Sequence, residues 1–259
     1  MVLDVISTTL YDAKIAEQHG ADRISVFTSI SEGGLTPSYG LIKKIKESVN
    51  VPVYVMIRPH NQSFHYNEDD LHTMISDIKQ VKSLNADGII IGCLTEEKLI
   101  DEVALTTLLN EANGLDITFN LAFDEVYSQE QALETLLKYP QVKRVMTSGA
   151  DKSALNGIPQ IKKIMRKMRD EPLVFVGVKG LKPENLKAFL SVTDVQEVCL
   201  GAGVRVNCQY TQPMDCKSVQ AAKTIIEKIP LIEKKRCNEI NTTFFFRLME
   251  FLSKYMFKI

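Results

Sequence analysis

Residues 53–91 read VYVMIRPHNQSFHYNEDDLHTMISDIKQVKSLNADGIII and contain one complete unit of the predicted fold. The unit opens with a run of β-branched and apolar residues at positions 53–57, which predicts a buried strand. Apolar residues at helical spacing follow at positions 69–84, and a second apolar run covers positions 88–91. A strand, a helix and another strand in this order predict a parallel pair joined by a crossover helix.

The same unit repeats along the chain. Apolar runs predict eight strands, at residues 3–6, 23–27, 53–57, 88–91, 117–122, 144–147, 173–176 and 197–200. Helical spacing predicts eight helices, at residues 11–19, 38–49, 69–84, 103–112, 129–138, 158–169, 184–190 and 217–228. We therefore predict an α/β fold, a closed (β/α)8 barrel of the TIM type. An open, doubly wound sheet is the alternative that the same units allow.

Three of the predicted helices have a recognisable start. Thr36 before Pro37 predicts an N-cap followed by a proline at the first helical position. Asn67 stands before three acidic residues, which favour the positive end of a helix. Lys182 is followed by Pro183, and this pair predicts the start of another helix.

The chain divides by composition into two parts. Residues 1–229 contain no proline-rich or serine-rich linker, so we predict one barrel domain there. From residue 233 to 259 there are six basic and three acidic residues, with six aromatic residues crowded between positions 244 and 257. Residues 230–259 are predicted to form a helical extension that packs its aromatic face on the barrel or on a second subunit. A helix lying on a membrane surface is the alternative.

The composition excludes several classes of protein. In 259 residues, 45% apolar and 24% charged residues indicate a soluble globular chain. A net charge of -1 gives no overall field to attract nucleic acid, and no run of 18 apolar residues predicts a membrane span. The first residues lack the pattern of a signal peptide, and five scattered cysteines without a C-x-x-C pair are typical of reduced thiols. We expect a cytoplasmic location.

Polar residues that follow the predicted strands are the candidate site. Ligands of such barrels bind at the carboxyl ends of the strands. Arg58, Asp124, Ser148 and Lys179 follow strands three, five, six and seven, and Glu32 lies in the loop after strand two. Arg58 and Lys179 suit the binding of a small phosphate or carboxylate, with Ser148 beside them. Asp124 or Glu32 is the predicted general acid or base of an enzyme.

Charged residues within strands and glycines in loops are further candidates. Asp4 and Arg23 interrupt apolar strands, so they form either a structural ion pair or part of a ligand site. The loop with Gly33 and Gly34 permits close approach of an anion to the backbone. Glycines at positions 177–180 and 201–203 lie where many barrels bind phosphate, although ordinary turns explain them equally well.

Six short segments resemble the signature segments of the CutC copper-homeostasis family, in the same order and over about residues 1–205. They read ADRI (21–24), SEGGLTPS (31–38), VMIRP (55–59), AFDE (122–125), TSG (147–149) and KPEN (182–185). The resemblance implies a TIM-like barrel, a cytoplasmic location, a role in copper handling and self-association into homo-oligomers.

The chain departs from the family pattern at its proposed copper ligands. Ile6 and Phe27 stand where the family commonly has cysteines. Asn120 and the leucine after it replace a common His-Arg pair, and we keep Asn120 among the predicted substrate contacts. Cys199 stands where a histidine is common on the last strand.

Other thiols of the chain are candidates for copper. Cu(I), the form expected in a reducing cytosol, prefers thiolate and thioether donors. Cys208, Met214 and Cys216 lie in the loop after the last predicted strand, with Cys199 nearby in that strand. Idle or buried thiols are the alternative. The sequence thus leaves three functions open: Cu(I) binding, an enzyme acting on a small anion, and an oligomeric scaffold that uses the aromatic tail.

Overall fold

The computed structural model describes residues 1–168 and 171–229. Eight parallel strands close into a barrel within these residues: β1 Val2–Ser7, β2 Arg23–Val26, β3 Val53–Met56, β4 Gly88–Ile91, β5 Asp116–Phe119, β6 Val142–Thr147, β7 Val174–Val178 and β8 Glu197–Leu200. Each strand pairs with the next along the chain, and β8 closes the ring on β1, where Glu197 lies opposite Val2. The predicted TIM-type barrel is confirmed, and the open sheet is excluded.

Helices surround this barrel. Their bounds are α1 Leu10–Gln18, α2 Tyr39–Lys46, α3 Glu68–Ser83, α4 Glu102–Glu111, α5 Gln129–Leu136, α6 Ile158–Lys167, α7 Pro183–Val192 and α8 Cys216–Lys228. Met1–Ile229 forms one compact unit. The predicted extension at 230–259, with its aromatic residues and Cys237, lies outside the described residues. In the part of the chain that the structure describes, no helix is both long and apolar enough to cross a bilayer.

The helix starts follow the sequence at two of three positions. Asn67 forms a capping box at the start of α3, and α7 begins at Pro183. The third prediction is wrong, because Ser38 and not Thr36 caps α2. The Thr36 hydroxyl accepts a hydrogen bond from the main-chain N–H of Arg58 at 2.9 Å instead. Thr36 thus fastens the loop before α2 to the end of β3.

Strand β5 ends earlier than predicted. Its last residue is Phe119, whereas the apolar run extends to residue 122. The side chain of Asn120 accepts a hydrogen bond from the main-chain N–H of Ala122 at 2.8 Å. This bond caps a short 3-10 helix, Leu121–Asp124, which turns the chain across the end of the barrel.

Alternating side chains divide the core into two layers, as the two-residue period of a strand requires. Leu3 and Val5 of β1 belong to the larger apolar cluster, together with buried residues of the surrounding helices. Ile6 belongs to a second cluster inside the barrel, with inward side chains of other strands such as Met56 and Val176. The barrel interior is therefore packed and apolar at mid-height, which separates its two ends.

Candidate functional site

A cavity of about 700 Å³ opens at the carboxyl end of the barrel. Loops after β2, β3, β5, β6 and β7 form its walls. Four predicted site residues line it: Glu32, Arg58, Asp124 and Lys179. The parallel strands bring these side chains together from positions up to 147 residues apart, since Glu32 and Lys179 stand at the two extremes of the set. The volume suits a small-molecule ligand.

Arg58 is the buried cation of this cavity. Its exposed fraction is 6%, and its guanidinium lies over the Phe64 ring with 4.1 Å between the guanidinium carbon and the ring centroid. Among the described residues its Nε has no hydrogen-bond partner, and no carboxylate forms an ion pair with it. A buried charge without a counter-ion is costly, so this arrangement favours the binding of an anion.

The loop after β2 holds Arg58 in place. The main-chain N–H of Thr36 donates to the carbonyl oxygen of Arg58 at 3.0 Å, which complements the bond from Arg58 to the Thr36 hydroxyl. Gly33 has a φ of 94°, and a Cβ at this position would stand 2.6 Å from Nη1 of Arg58. Glycine is therefore required here both by the backbone conformation and by the close approach of the guanidinium.

Lys179 supplies a second cation from the other side of the mouth. It directly follows β7 and has a φ of 72°, a left-handed conformation that is uncommon for residues other than glycine. Its Nζ donates to the main-chain oxygen of Asp151 at 3.2 Å. The strained backbone points to a local constraint of the kind found in binding loops.

Asp124 is held by four hydrogen bonds. Its Oδ1 accepts from the Thr147 hydroxyl at 2.5 Å and from Nε2 of Gln129 at 2.9 Å. Its Oδ2 accepts from the main-chain N–H of Ser148 at 2.7 Å and lies 2.6 Å from the Ser148 hydroxyl. Ser148 itself is fully buried. The contacts between Asp124 and Ser148 connect the segment after β5 to the segment after β6. Together with the other two bonds, they leave the carboxylate of Asp124 few free acceptor positions for a proton transfer.

Glu32 is the more accessible carboxylate. It is exposed at the end of a short 3-10 helix, Ile30–Glu32, and accepts one hydrogen bond from Nδ2 of Asn61 at 3.0 Å. This contact leaves the other carboxylate oxygen open to the cavity. Of the two predicted acid or base residues, Glu32 has the carboxylate with fewer hydrogen bonds.

Asn120 lies below the cavity wall. It is 1% exposed, caps the 3-10 helix Leu121–Asp124 and directs its Nδ2 toward the sulfur of Met56 at 3.9 Å. A Cβ on Gly92 would collide with its side-chain oxygen. Its amide is therefore occupied by the barrel itself, and the structure does not bring it to the lining of the cavity.

Asp4 and Arg23 lie at the opposite, amino end of the barrel. Nε of Arg23 donates to Oδ2 of Asp4 at 3.0 Å, and its Nη2 donates to Oε2 of Glu197 at 2.6 Å. Neither residue lines the cavity. They form a buried ion pair, which is the other possibility that the sequence left open.

The ion pair extends into a network that the sequence analysis did not foresee. Nε of Arg144 lies 3.1 Å from Oε2 of Glu197, and its Nη1 lies 3.2 Å from Oδ2 of Asp116. The Tyr54 hydroxyl donates to the same Asp116 oxygen at 2.5 Å. We name this set the closed-end network, and its members are Asp4, Arg23, Tyr54, Asp116, Arg144 and Glu197. A charged residue near the start of several predicted strands was the available signal.

The thiols predicted to bind copper lie in three different elements. Cys199 is buried inside the barrel, and burial raises the pKa of its thiol well above the usual range, which disfavours a thiolate ligand. Cys208 is exposed in the 3-10 helix Val206–Cys208, and Cys216 is the first residue of α8. Residues 1–168 and 171–229 contain no group of three or more His, Cys, Asp or Glu side chains that could hold a metal. Cys199 is thus a poor thiolate ligand, whereas Cys208 and Cys216 remain accessible.

The glycines after β8 lie against neighbouring loops. A Cβ on Gly201 would collide with the Tyr210 hydroxyl, and a Cβ on Gly203 would collide with the carbonyl oxygen of Leu181. Neither glycine lines the cavity. They permit close packing of loops, which is the alternative that the sequence left open.

Five residues of the cavity were missed in the sequence: Asn61, Phe64, Ala150, Asp151 and Lys152. Asn61 and Phe64 belong to the loop after β3, and Asp151 belongs to the loop after β6. Asn61 orients Glu32, Phe64 carries the guanidinium of Arg58, and the Asp151 backbone binds Lys179. They lie three or more residues beyond the strand ends, so only their position in loops that follow a candidate residue could have pointed to them.

Comparison with known proteins gives one consistent family. A model of the CutC family matches residues 1–204. A human copper homeostasis protein cutC homolog is 39% identical over 196 residues, which cover 76% of this chain and 71% of that protein. A CutC family protein of Pasteurella multocida is 34% identical over 245 residues, which cover 88% of this chain and 100% of that protein.

A solved structure agrees with this match. The crystal structure of the copper homeostasis protein CutC of Streptococcus agalactiae aligns with a TM-score of 0.73 at 26% identity, over 78% of this chain and 98% of that chain. The barrel described above is thus similar to an experimentally determined member of the same family.

Proposed function

This chain belongs to the CutC family, and we propose that it binds a small anionic ligand, a phosphate or a carboxylate, at the carboxyl end of its barrel. The observation that carries the proposal is Arg58, a buried arginine that lines a cavity of about 700 Å³ with no carboxylate partner among the described residues. The ligand supplies the missing negative charge. A guanidinium binds such groups through two parallel hydrogen bonds, and Lys179 adds a second positive charge.

Any chemical step in this cavity uses Glu32 as the acid or base. Asp124 also lines the cavity, but its carboxylate oxygens already accept bonds from Thr147, Gln129 and Ser148. We therefore propose that Asp124 positions the loops and that Glu32 exchanges the proton. The class of reaction is left open, because the barrel fold supports many chemistries.

Calorimetric titration of inorganic phosphate at constant ionic strength tests the binding. We expect saturable binding to the wild type and its loss in Arg58→Gln, which keeps a polar side chain but removes the charge. Arg166→Gln is the matched control, because Arg166 is an exposed arginine of α6 outside the cavity. Constant ionic strength matters because phosphate also stabilises proteins non-specifically.

The result that contradicts the proposal is equally definite. Phosphate and small carboxylates that fail to bind the wild type, or that bind Arg58→Gln and Arg166→Gln equally, show that the cavity is not an anion site.

Copper handling is the second candidate, because the names of the relatives associate the family with copper homeostasis. Its support in this chain is that Cys208 is exposed and Cys216 only half-buried, so both thiols are accessible to a Cu(I) ion. Anaerobic Cu(I) titration of the wild type against a Cys208→Ser, Cys216→Ser double variant tests it. Unchanged stoichiometry in the double variant removes these thiols from consideration.

We propose a cytoplasmic location and self-association as further properties. The four cysteines of the described residues are free thiols, which supports a reducing compartment. Val103 and Tyr127 are large apolar residues with exposed fractions of 79% and 85%, and they support a contact between copies of the chain. Light scattering of the full chain measures the oligomeric mass.

A further inference from the structure

We propose that the ligand of the carboxyl-end cavity is amphoteric: a small molecule that carries a cationic group, such as an ammonium, in addition to its anionic group. This inference rests on the proposed anion site and names the chemical class of its ligand. It follows from the charges that line the cavity and from what each of them contacts.

Opposite charges face this cavity in nearly equal number. Three cations line it, on Arg58, Lys152 and Lys179. Four carboxylates line it as well, on Glu32, Asp124, Glu125 and Asp151. Among the described residues, none of these seven side chains takes part in an ion pair, although fourteen such contacts occur elsewhere.

Other contacts keep these charges apart. Glu32 follows the loop that touches Arg58, yet its carboxylate binds Asn61 and not the guanidinium. Lys179 reaches the main-chain oxygen of Asp151 and not the carboxylate of that residue. Because the lining charges form no ion pair with one another, the lining presents unpaired positive and negative charge to whatever occupies the cavity.

Arg58 decides which end of the ligand goes deepest. It is the buried member of the set, so the anionic group belongs against its guanidinium, over Phe64. Glu32, Glu125 and Asp151 are exposed at the rim. These three carboxylates outnumber the exposed lysines of the lining, Lys152 and Lys179, so the outer end of a purely anionic ligand bound at Arg58 meets a net negative rim. A ligand with an ammonium at its outer end is attracted to the rim instead.

Two phosphate monoesters separate these cases. O-phosphoethanolamine and ethyl phosphate share a phosphate group and a two-carbon chain, and they differ by one ammonium. Calorimetric titration at pH 7.5 and constant ionic strength is expected to give a dissociation constant about tenfold lower for O-phosphoethanolamine, the ratio that a single added ion pair of about 1.4 kcal/mol produces. Arg58→Gln is expected to abolish the binding of both esters.

Neutralising the rim tests the cause of the preference. In Glu32→Gln the ratio of the two dissociation constants is expected to fall toward one, and in the triple variant Glu32→Gln, Glu125→Gln, Asp151→Asn it is expected to reach one. Glu134→Gln is the matched control, because Glu134 is an exposed glutamate of α5 that lies outside the cavity, and it keeps the wild-type ratio. Circular dichroism confirms that each variant is folded.

The outcomes distinguish the two proposals. Equal binding of both esters to the wild type, lost in Arg58→Gln, overturns the amphoteric ligand and leaves the anion site standing. A preference for O-phosphoethanolamine that persists in the triple variant also overturns it, since the rim carboxylates then play no part. Failure of both esters to bind overturns the anion site and this inference together.

Discussion

The two ends of the barrel contain the same kinds of charged side chain in opposite arrangements. At the amino end, the closed-end network joins arginines to carboxylates over distances of 2.6 to 3.2 Å. At the carboxyl end, the seven charges around the cavity form no ion pair with any described residue. Paired charges hold strands together, and unpaired charges around a cavity are available to a ligand.

Two buried arginines show the difference most clearly. Arg23 is 3% exposed and bonds to both Asp4 and Glu197. Arg58 is 6% exposed, stacks on Phe64 and has no carboxylate partner in the described part of the chain. Burial alone therefore does not distinguish a structural arginine from a binding one. The identity of the partner does.

The largest expected effect is at the amino end. Arg23→Met removes the cation and leaves the carboxylates of Asp4 and Glu197 buried, so we expect the free energy of unfolding to fall by about 3–5 kcal/mol. Arg58→Met removes a charge that has no carboxylate partner, and we expect a change within about 1 kcal/mol. Urea denaturation of both variants makes the measurement. Equal losses would erase the distinction between the two ends.

A smaller effect is expected at Gly33. Gly33→Ala places a Cβ in a left-handed conformation, which costs about 1–2 kcal/mol, and directs it at Nη1 of Arg58. We expect reduced stability together with weaker phosphate binding. Gly40→Ala is the control, because Gly40 lies in α2 with open space around it, and alanine there stabilises by about 0.5–1 kcal/mol. Unchanged phosphate affinity in Gly33→Ala would show that this loop does not position the guanidinium of Arg58.

The smallest effect concerns pH and the closed-end network. Burial alone raises the pKa of Asp116, but hydrogen bonds from Tyr54 and Arg144 outweigh it and lower the pKa. A lowered pKa in the folded state contributes stability above the unfolded value of about 3.9, and this contribution disappears as the pH falls through the folded value. Because Asp116 is partly exposed, we expect Asp116→Asn to cost less than about 1 kcal/mol at pH 7.

Thermal unfolding of Asp116→Asn and the wild type over pH 2–7 checks the sign. The difference between them should shrink toward acid. A difference that grows as the pH falls would mean that the carboxylate is not stabilised by the network.

The sequence was sufficient to predict the barrel because each strand–helix unit shows its own hydrophobic periodicity. The runs at 88–91 and 197–200 match β4 and β8 residue for residue. The predicted boundaries of strands and helices were wrong where a polar side chain accepts a hydrogen bond from a main-chain N–H. Asn120 ends β5 early, and Thr36 bonds to Arg58 when it was expected to cap a helix.

The site was predictable in position and only partly in role. Following each strand to its last residue identified Glu32, Arg58, Asp124 and Lys179, all of which line the cavity. The same reasoning could not tell that the bonds to Asp124 occupy its oxygens, because its donors come from other elements. The burial of the candidate copper ligands was equally beyond this reasoning, because Cys199 is buried in β8 whereas Cys208 is exposed in a loop.

The pair of bonds between Thr36 and the backbone of Arg58 has a consequence for affinity. It ties the segment that carries Glu32 and Gly33 to the strand that carries the guanidinium, so these groups are already ordered before a ligand arrives. Ordering a loop on binding weakens affinity, and preorganisation removes that loss. A cavity whose side chains are already ordered selects its ligand by fixed geometry. We therefore expect the ratio of its affinities for different ligands to change little with temperature.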